Sequence, residues 1–326
     1  MKKILALLLA LWIPAAVLSG CAPQDDSAAS NKLNIVTTIF PAYDWVREIL
    51  GAETDRAEIT MLLDSGVDLH SYQPTVDDIV KISDCDLFLY VGGESDGWVE
   101  DALKNAPNKE RKVIRLLDVL GDSAKAEETV EGMQEEEDDH EEEAEYDEHI
   151  WLSLKNAQVL VAAISEALQE SDPARKDTYA ANAAAYVEKL SALDGEYRAA
   201  VDSGKYKTLL FGDRFPFRYL ADDYGLDYYA AFPGCSAETE ASFETVSFLA
   251  GKMDALGLPC VLTIEGTQHK IAETIVQNTA QKNQQILTMD SMQAVTANDA
   301  ASGVSYLSIM EKNLSVLKKA LGQEAE

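Results

Sequence analysis

The feature that most constrains this chain is a strict alternation, repeated on both sides of one long helical stretch. Short β-rich runs of about five residues alternate with amphipathic segments of helical period. On the first side Asn34–Ile39, Ala57–Leu62, Asp86–Val91 and Lys112–Leu116 read as strands. Pro41–Leu50, a helix opened by Thr75 and Trp98–Lys104 fall between them. Thr75 is a natural N-cap, and Gly51 and Gly92-Gly93 sit where elements must stop. On the second side Tyr206–Phe211, Asp227–Phe232, Cys260–Ile264 and Gln285–Met289 read as strands. Pro216–Tyr224, Phe243–Leu256, Lys270–Thr279 and Tyr306–Leu321 read as helices. A β-α-β-α order makes mostly parallel sheets covered by helices, because a parallel crossover needs a connection long enough to hold a helix. Between the halves, Ser153–Glu170 and Ala174–Ser203 are helical by period, the second long enough to act as a rigid spine. The predicted fold is therefore α/β, with two βα lobes joined by a long helix. Ligands of such open sheets sit at the strand C-termini, here in a cleft between the lobes.

Two segments stand outside that pattern. Residues 1–20 carry a basic start at Lys2-Lys3 and an apolar run ending in Leu18-Ser19-Gly20-Cys21. This reads as a lipoprotein signal peptide, with Cys21 as the lipidated mature N-terminus and residues 21–31 as a polar tether. The apolar run is too short to span a membrane stably. The expected localisation is extracytoplasmic, anchored by lipid to the cell membrane or in a periplasm. The second segment is acidic: residues 135–148 hold eleven acids with one Ala, one Tyr and one His, His140. Such a run repels itself and buries no apolar surface, so 122–148 is expected to be a mobile loop. The resulting domains are an N-terminal lobe over 32–173, a linker helix over 174–204 and a C-terminal lobe over 205–326.

Composition excludes some classes of function. The chain carries 57 Asp and Glu against 27 Lys and Arg. Nucleic acid is therefore not a partner, since phosphate binding needs clustered cations. No H-E-x-x-H, G-x-S-x-G or Walker-type element is present, and no enzyme activity is expected. Besides Cys21 there are Cys85, Cys235 and Cys260, without a C-x-x-C pair. Outside the cytoplasm a disulfide is permitted, and Cys235 with Cys260 is the candidate pair. Cys85 reads as a small buried residue.

Four histidines remain to be weighed. His70 lies in a Ser-, Gly-, Asp- and Pro-rich stretch after the second strand. His149 lies where the acidic run meets the helix capped by Ser153. Neutral imidazole binds borderline divalent cations, so each is a candidate metal ligand, and each reads equally well as a surface or helix-approach histidine. His269 opens a helix and reads as a surface residue.

With these contexts, the chain resembles the substrate-binding lipoproteins of bacterial zinc and manganese ABC transporters. His70-Ser-Tyr-Gln-Pro-Thr75 matches that family's first ligand motif, H-S-Y-E-P-T. Glu148-His149-Ile-Trp-Leu-Ser153 matches its second, P-H-x-W-L-S, with Glu148 in place of Pro. Trp45, the acidic loop, Tyr224-Gly225-Leu226 and the Asp290 segment follow in the family's order, so the resemblance covers 32–322. It implies high-affinity capture of a divalent metal, with His70 and His149 as ligands, and delivery to an ABC permease by a monomer. It also implies a third ligand, His or Glu, after the first strand of the C-terminal lobe. Here the chain departs from the family: Gly212, Asp213 or Arg214 occupies that position, and of these only Asp213 can coordinate a metal. Asp290 matches the family's C-terminal aspartate ligand, and Glu265, which ends a strand, is a weaker candidate. The acidic, His-containing loop favours zinc, while two His with two carboxylates also suit manganese or iron. Some members of the family are described as adhesins, a secondary role that the resemblance leaves open.

Overall fold

The computed structural model describes residues 32–104, 106–134, 145–236, 240–266 and 269–323. Cys21, the signal segment and His140 lie outside the described residues.

The first sheet holds β1 (Leu33–Thr37), β2 (Ala57–Met61), β3 (Leu87–Tyr90) and β4 (Lys112–Arg115) in the order β2-β1-β3-β4. The second holds β5 (Thr208–Phe215), β6 (Asp227–Pro233), β7 (Cys260–Thr263) and β8 (Gln285–Thr288) in the order β6-β5-β7-β8. Every strand pair is parallel, and the two orders are the same. In each sheet the chain runs outward from the first strand, returns, and continues on the other side. That reversal opens a crevice at the strand C-termini.

The connecting helices are α1 (Phe40–Leu50), α2 (Val76–Asp84), α3 (Val99–Lys104) and α4 (Leu116–Leu120) in the first half. The second half has α7 (Arg218–Tyr224), α8 (Phe243–Leu256), α9 (Lys270–Asn278), α10 (Ala297–Ala301) and α11 (Tyr306–Ala320). Side-chain chemistry sets their ends. Thr75 and Asp78 close a full capping box on α2, and Ser242 caps α8. The turns α4 and α10, five residues each, are too short to show a period in sequence.

Between the sheets lie α5 (Leu154–Ser171), capped by Ser153, and α6 (Lys176–Ser203). The 28 residues of α6 span about 42 Å. Its buried side chains include Tyr179, Ala183, Tyr186, Leu190, Leu193, Tyr197 and Ala200. The alternating spacing of four and three draws one apolar stripe along the helix, which packs against α1, α5 and α11. One hydrophobic cluster consequently runs from Ile35 and Trp45 through this helical layer to Leu209 and Phe211.

The acidic segment differs from its expectation as a mobile loop. Its described flanks are ordered. Ala126 and Tyr146 form an antiparallel bridge, and Asp147 N–H donates to Lys125 O at 2.9 Å. Gln134 N–H donates to Ala231 O at 2.9 Å, and Met133 is buried. Val130 and Met133 supply the apolar surface that a purely acidic run lacks, so the flanks dock beside β6.

Asp44 ties the halves together at an energetic cost. It is buried on α1, and its Oδ2 accepts the Tyr306 N–H at 2.8 Å, at the start of α11. Burial, with the Glu48 charge nearby, pushes its carboxyl up to about 6. The folded protein then binds more protons than the unfolded chain between about pH 4 and 6, so this group's stabilisation is lost as pH rises through that window. Asp44→Asn keeps an acceptor and removes the charge. Relative to wild type, its unfolding free energy should rise from near zero difference at pH 4 to at most about 3 kcal/mol at pH 7.5. Urea unfolding at both pH values checks this, and a pH-independent difference would exclude the charge as its cause.

Candidate metal centre

The loops at the C-terminal strand ends bring His70 and His149 together. His70 lies on a single 3-10 turn after β2, Leu69–Ser71, fixed because Asp68 accepts the His70 N–H at 3.0 Å. His149 precedes another such turn, Ile150–Leu152, and is fully buried. The two Nε2 atoms stand 3.2 Å apart. Both Nδ1 atoms face oxygen. His149 Nδ1 lies 3.0 Å from Asp147 Oδ1, which also accepts the His149 N–H at 2.8 Å. His70 Nδ1 lies 2.9 Å from Ser95 Oγ and 3.4 Å from Glu148 Oε2.

Asp147 accepts from His149 Nδ1–H, which leaves the His149 Nε2 lone pair facing His70. Ser95 Oγ either accepts from His70 Nδ1–H or donates to a bare Nδ1, so the two Nε2 atoms share one proton or, with both lone pairs free, one cation. Burial and the facing His149 push His70 down to about 3, so it is neutral near pH 7. Two facing lone pairs repel unless a proton or a cation stands between them. Two nitrogens bound to one tetrahedral zinc at about 2.0–2.1 Å stand roughly 3.3 Å apart, so the observed spacing fits a shared ion. The Glu148 carboxyl, itself pushed up by burial, adds a buried acid beside the pair. Its Oε1 accepts the Ser95 N–H at 2.8 Å.

A third ligand atom converges on this pair: the Cys235 Sγ, with all three donors within 4.8 Å of one another. Cys235 lies just past β6. Burial, with Glu127, Asp147 and Glu148 nearby, pushes its thiol well above the ordinary range. The candidate disulfide is not formed, and Cys235 and Cys260 are both free. The reason is topological. Cys260 opens β7 at its N-terminal end, Cys235 follows the C-terminal end of β6, and β5 lies between those strands. Cys85 is buried, and its thiol donates to Ile82 O.

Asp213, Asp290 and Glu265 are outside the converging group, and each has backbone donors to satisfy. β5 runs four residues beyond its expected end and shifts register between Phe211 and Arg214. A β-carbon on Gly212 would stand 2.7 Å from the Ala272 Cα, so that position packs on α9 and has no room for a side chain. Asp213 accepts the Arg214 N–H at 2.9 Å and the Ile264 N–H at 3.3 Å, and burial pushes its carboxyl up. Glu265 accepts the Ser291 N–H and O–H, both at 2.6 Å, and the Gln293 N–H at 3.0 Å. Asp290 accepts the Met292 N–H at 2.8 Å, and burial beside Glu265 pushes it up to about 6. These two acids shape the 290–294 segment, whose Ser291 O accepts the Trp151 indole N–H at 2.9 Å. His269 immediately precedes α9, near Asp213, and its side chain makes no capping hydrogen bond.

Arg214 is the residue of that stretch that reaches the histidine loop. Its guanidinium donates to Asp68 Oδ2 at 2.6 Å and to Ser236 O at 3.3 Å. Burial opposes ionisation of Asp68, yet Arg214 holds its carboxyl below the usual range. The sequence marks none of Asp147, Ser95 or Arg214 as special, since orienting residues are defined by contacts across the fold.

Known proteins resemble this chain along most of its length. Residues 35–320 match the family model described as zinc-uptake complex component A, periplasmic. The chain is 34% identical to the zinc-binding lipoprotein AdcA of Streptococcus pneumoniae over 329 aligned positions, 99% of this chain and 62% of AdcA. It thus spans less than two thirds of that relative's length. It is 28% identical to the high-affinity zinc uptake system protein ZnuA of Bacillus subtilis, over 89% of this chain and 88% of that protein. The Zn(II)-bound ZnuA-like domain of S. pneumoniae AdcA superposes with a TM-score of 0.70 at 30% identity, covering 90% of this chain and all of that domain. The paired histidine motifs, the two parallel sheets in one order and these matches place the chain in the family of the periplasmic zinc-uptake component A proteins.

Proposed function

We propose that this protein captures zinc outside the cytoplasm and delivers it to an ABC permease for import. The observation that carries this reading is the 3.2 Å contact between the Nε2 atoms of two buried or half-buried histidines, each with Nδ1 held by oxygen. That arrangement lets both imidazoles turn a lone pair to one cation, and its spacing suits zinc. The names of the relatives, a zinc-binding lipoprotein and a zinc-uptake protein, support the same substrate. The family is one of transport components, so we assign no reaction to the pair. The lipid on Cys21 tethers the protein at the membrane, where a monomer meets its permease.

The test is elemental analysis of the purified mature protein, followed by competition titration with zinc, manganese and iron. Zinc should co-purify at one equivalent and bind most tightly, and zinc import by cells should require both this protein and a permease. Preferential manganese or iron binding would overturn the zinc assignment, and no bound transition metal would overturn the reading altogether.

A further inference from the structure

The family's third ligand position is filled here by residues that do not converge on the histidine pair. Gly212 has no side chain and no room for one, Asp213 is turned to the backbone of Ile264, and Arg214 is a cation. A metal held by two histidines alone would be weakly bound, so the missing donor must come from elsewhere.

The topology supplies a candidate. The two sheets share one strand order, which makes β6 the counterpart of β2. His70 lies on the loop after β2 and Cys235 on the loop after β6. The two loops therefore occupy equivalent places at facing strand ends, and each sends one donor to the same point.

Three local features fix the sulfur there. A β-carbon on Gly234 would stand 2.9 Å from Phe215 O and 3.1 Å from the His149 Nδ1, so only glycine lets this turn lie against the imidazole. Cys235 N–H donates to Glu127 Oε1 at 2.9 Å, from the ordered flank of the acidic segment. Arg214 joins Ser236 O to Asp68, which in turn holds the His70 N–H. The turn bearing Cys235 is thus tied through Arg214 to the loop bearing His70.

A second, independent observation points to a cation at this place. Glu148 is almost fully buried, and its Oε2 has no hydrogen-bond partner while lying 3.4 Å from His70 Nδ1. A divalent ion on His70 would make its ring a stronger donor to that oxygen.

We propose that Cys235 is the third metal ligand of this protein, making a His70–His149–Cys235 site in place of the family's set of histidine and carboxylates. This rests on the proposed capture of a metal by the histidine pair and deepens it. As the sulfur–metal bond forms, the thiol proton leaves to solvent. The consequence is selectivity. A thiolate is a soft donor that favours zinc, whereas manganese prefers oxygen. The acidic flank that carries Glu127 then has a structural part in the site, through the Cys235 backbone.

X-ray absorption at the zinc edge of the zinc-loaded wild-type protein tests this directly. One sulfur scatterer is expected at about 2.3 Å, beside nitrogen or oxygen at about 2.0–2.1 Å. In Cys235→Ser the sulfur shell should vanish. Competition titration should then show zinc affinity reduced about a hundredfold, with manganese affinity changed far less. Cobalt-loaded wild type should show a thiolate-to-cobalt charge-transfer band that the serine variant lacks. A shell of nitrogen and oxygen only in the wild type, or zinc affinity unaltered by the substitution, would overturn the assignment and leave zinc capture by the histidines standing. Absence of bound zinc in the wild type would instead overturn the capture itself. Retention of the sulfur shell in the serine variant would move the ligand to another cysteine, and so would also refute the role of Cys235.

Discussion

Replacing His149 with alanine is expected to remove tight zinc binding. Structural zinc sites carry about 10–16 kcal/mol of apparent binding free energy over the four positions of a tetrahedral ion, so losing one donor costs roughly 3–4 kcal/mol, a factor of about 100–1,000 in affinity. His149 is fully buried, and its Nε2 faces the His70 Nε2 at 3.2 Å. His70→Ala should cost a similar factor. Asp147→Ala should cost less, about 10–100-fold, because Asp147 orients the ring and touches no metal. The order within this series is the informative result, read by competition titration against a chelator. An Asp147 variant as weak as the His149 variant would make Asp147 itself a ligand. Unchanged affinity in His149→Ala would remove the histidine from the site.

The second large effect concerns Trp151, two residues further on. Its ring is buried, stands 5.4 Å from the His149 ring and donates from Nε1 to Ser291 O. Its own carbonyl accepts the Tyr306 hydroxyl at 2.6 Å. Trp151 therefore joins the histidine segment to the 290–294 segment and to the start of α11. Trp151→Ala should destabilise the metal-free protein by about 3–5 kcal/mol, the usual cost of emptying a buried indole site. Trp151→Phe keeps most of the apolar area and leaves Ser291 O without its donor, at a cost of about 1–3 kcal/mol. Urea unfolding of both variants measures the split. Equal losses in the two would place the whole effect in the hydrogen bond, and a Phe variant as stable as wild type would place it in packing.

The parts of the fold that were readable in sequence share a cause. Strands β1 to β8 and the longer helices are local patterns, set by apolar spacing and by caps such as Thr75, Ser153 and Ser242. Even the first residue of α8, Phe243, follows from its capping serine. The elements that escaped, α4 and α10, are single turns made by their surroundings. The extension of β5 to Phe215 escaped for a similar reason. Its register shift is imposed by pairing with β6 and by the approach of α9 to Gly212, both of which are tertiary.

The candidate site divides in the same way. His70 and His149 were found because each lies in a long local motif. Asp213, Asp290 and Glu265 were singled out by their places at strand ends, which sequence does locate. What each carboxylate faces is a matter of three dimensions, and in the structure all three face backbone N–H groups. Cys235 was read against Cys260 because both lie in the same half of the chain. Only the parallel sheet shows that they sit at opposite strand ends, and that Cys235 converges on histidines from the other half.

The sequence by itself determined two parallel βα lobes, the helix between them and one half of a metal site, because periodicity, caps and the two histidine motifs are encoded over a few consecutive residues. The tertiary structure alone decided which donors meet. The separation between His70, His149 and Cys235 is set by the pairing order of two sheets, by a glycine at 234 and by the Asp68–Arg214 ion pair. Each of these joins residues far apart in the chain, and such proximity is fixed by packing rather than by any local pattern.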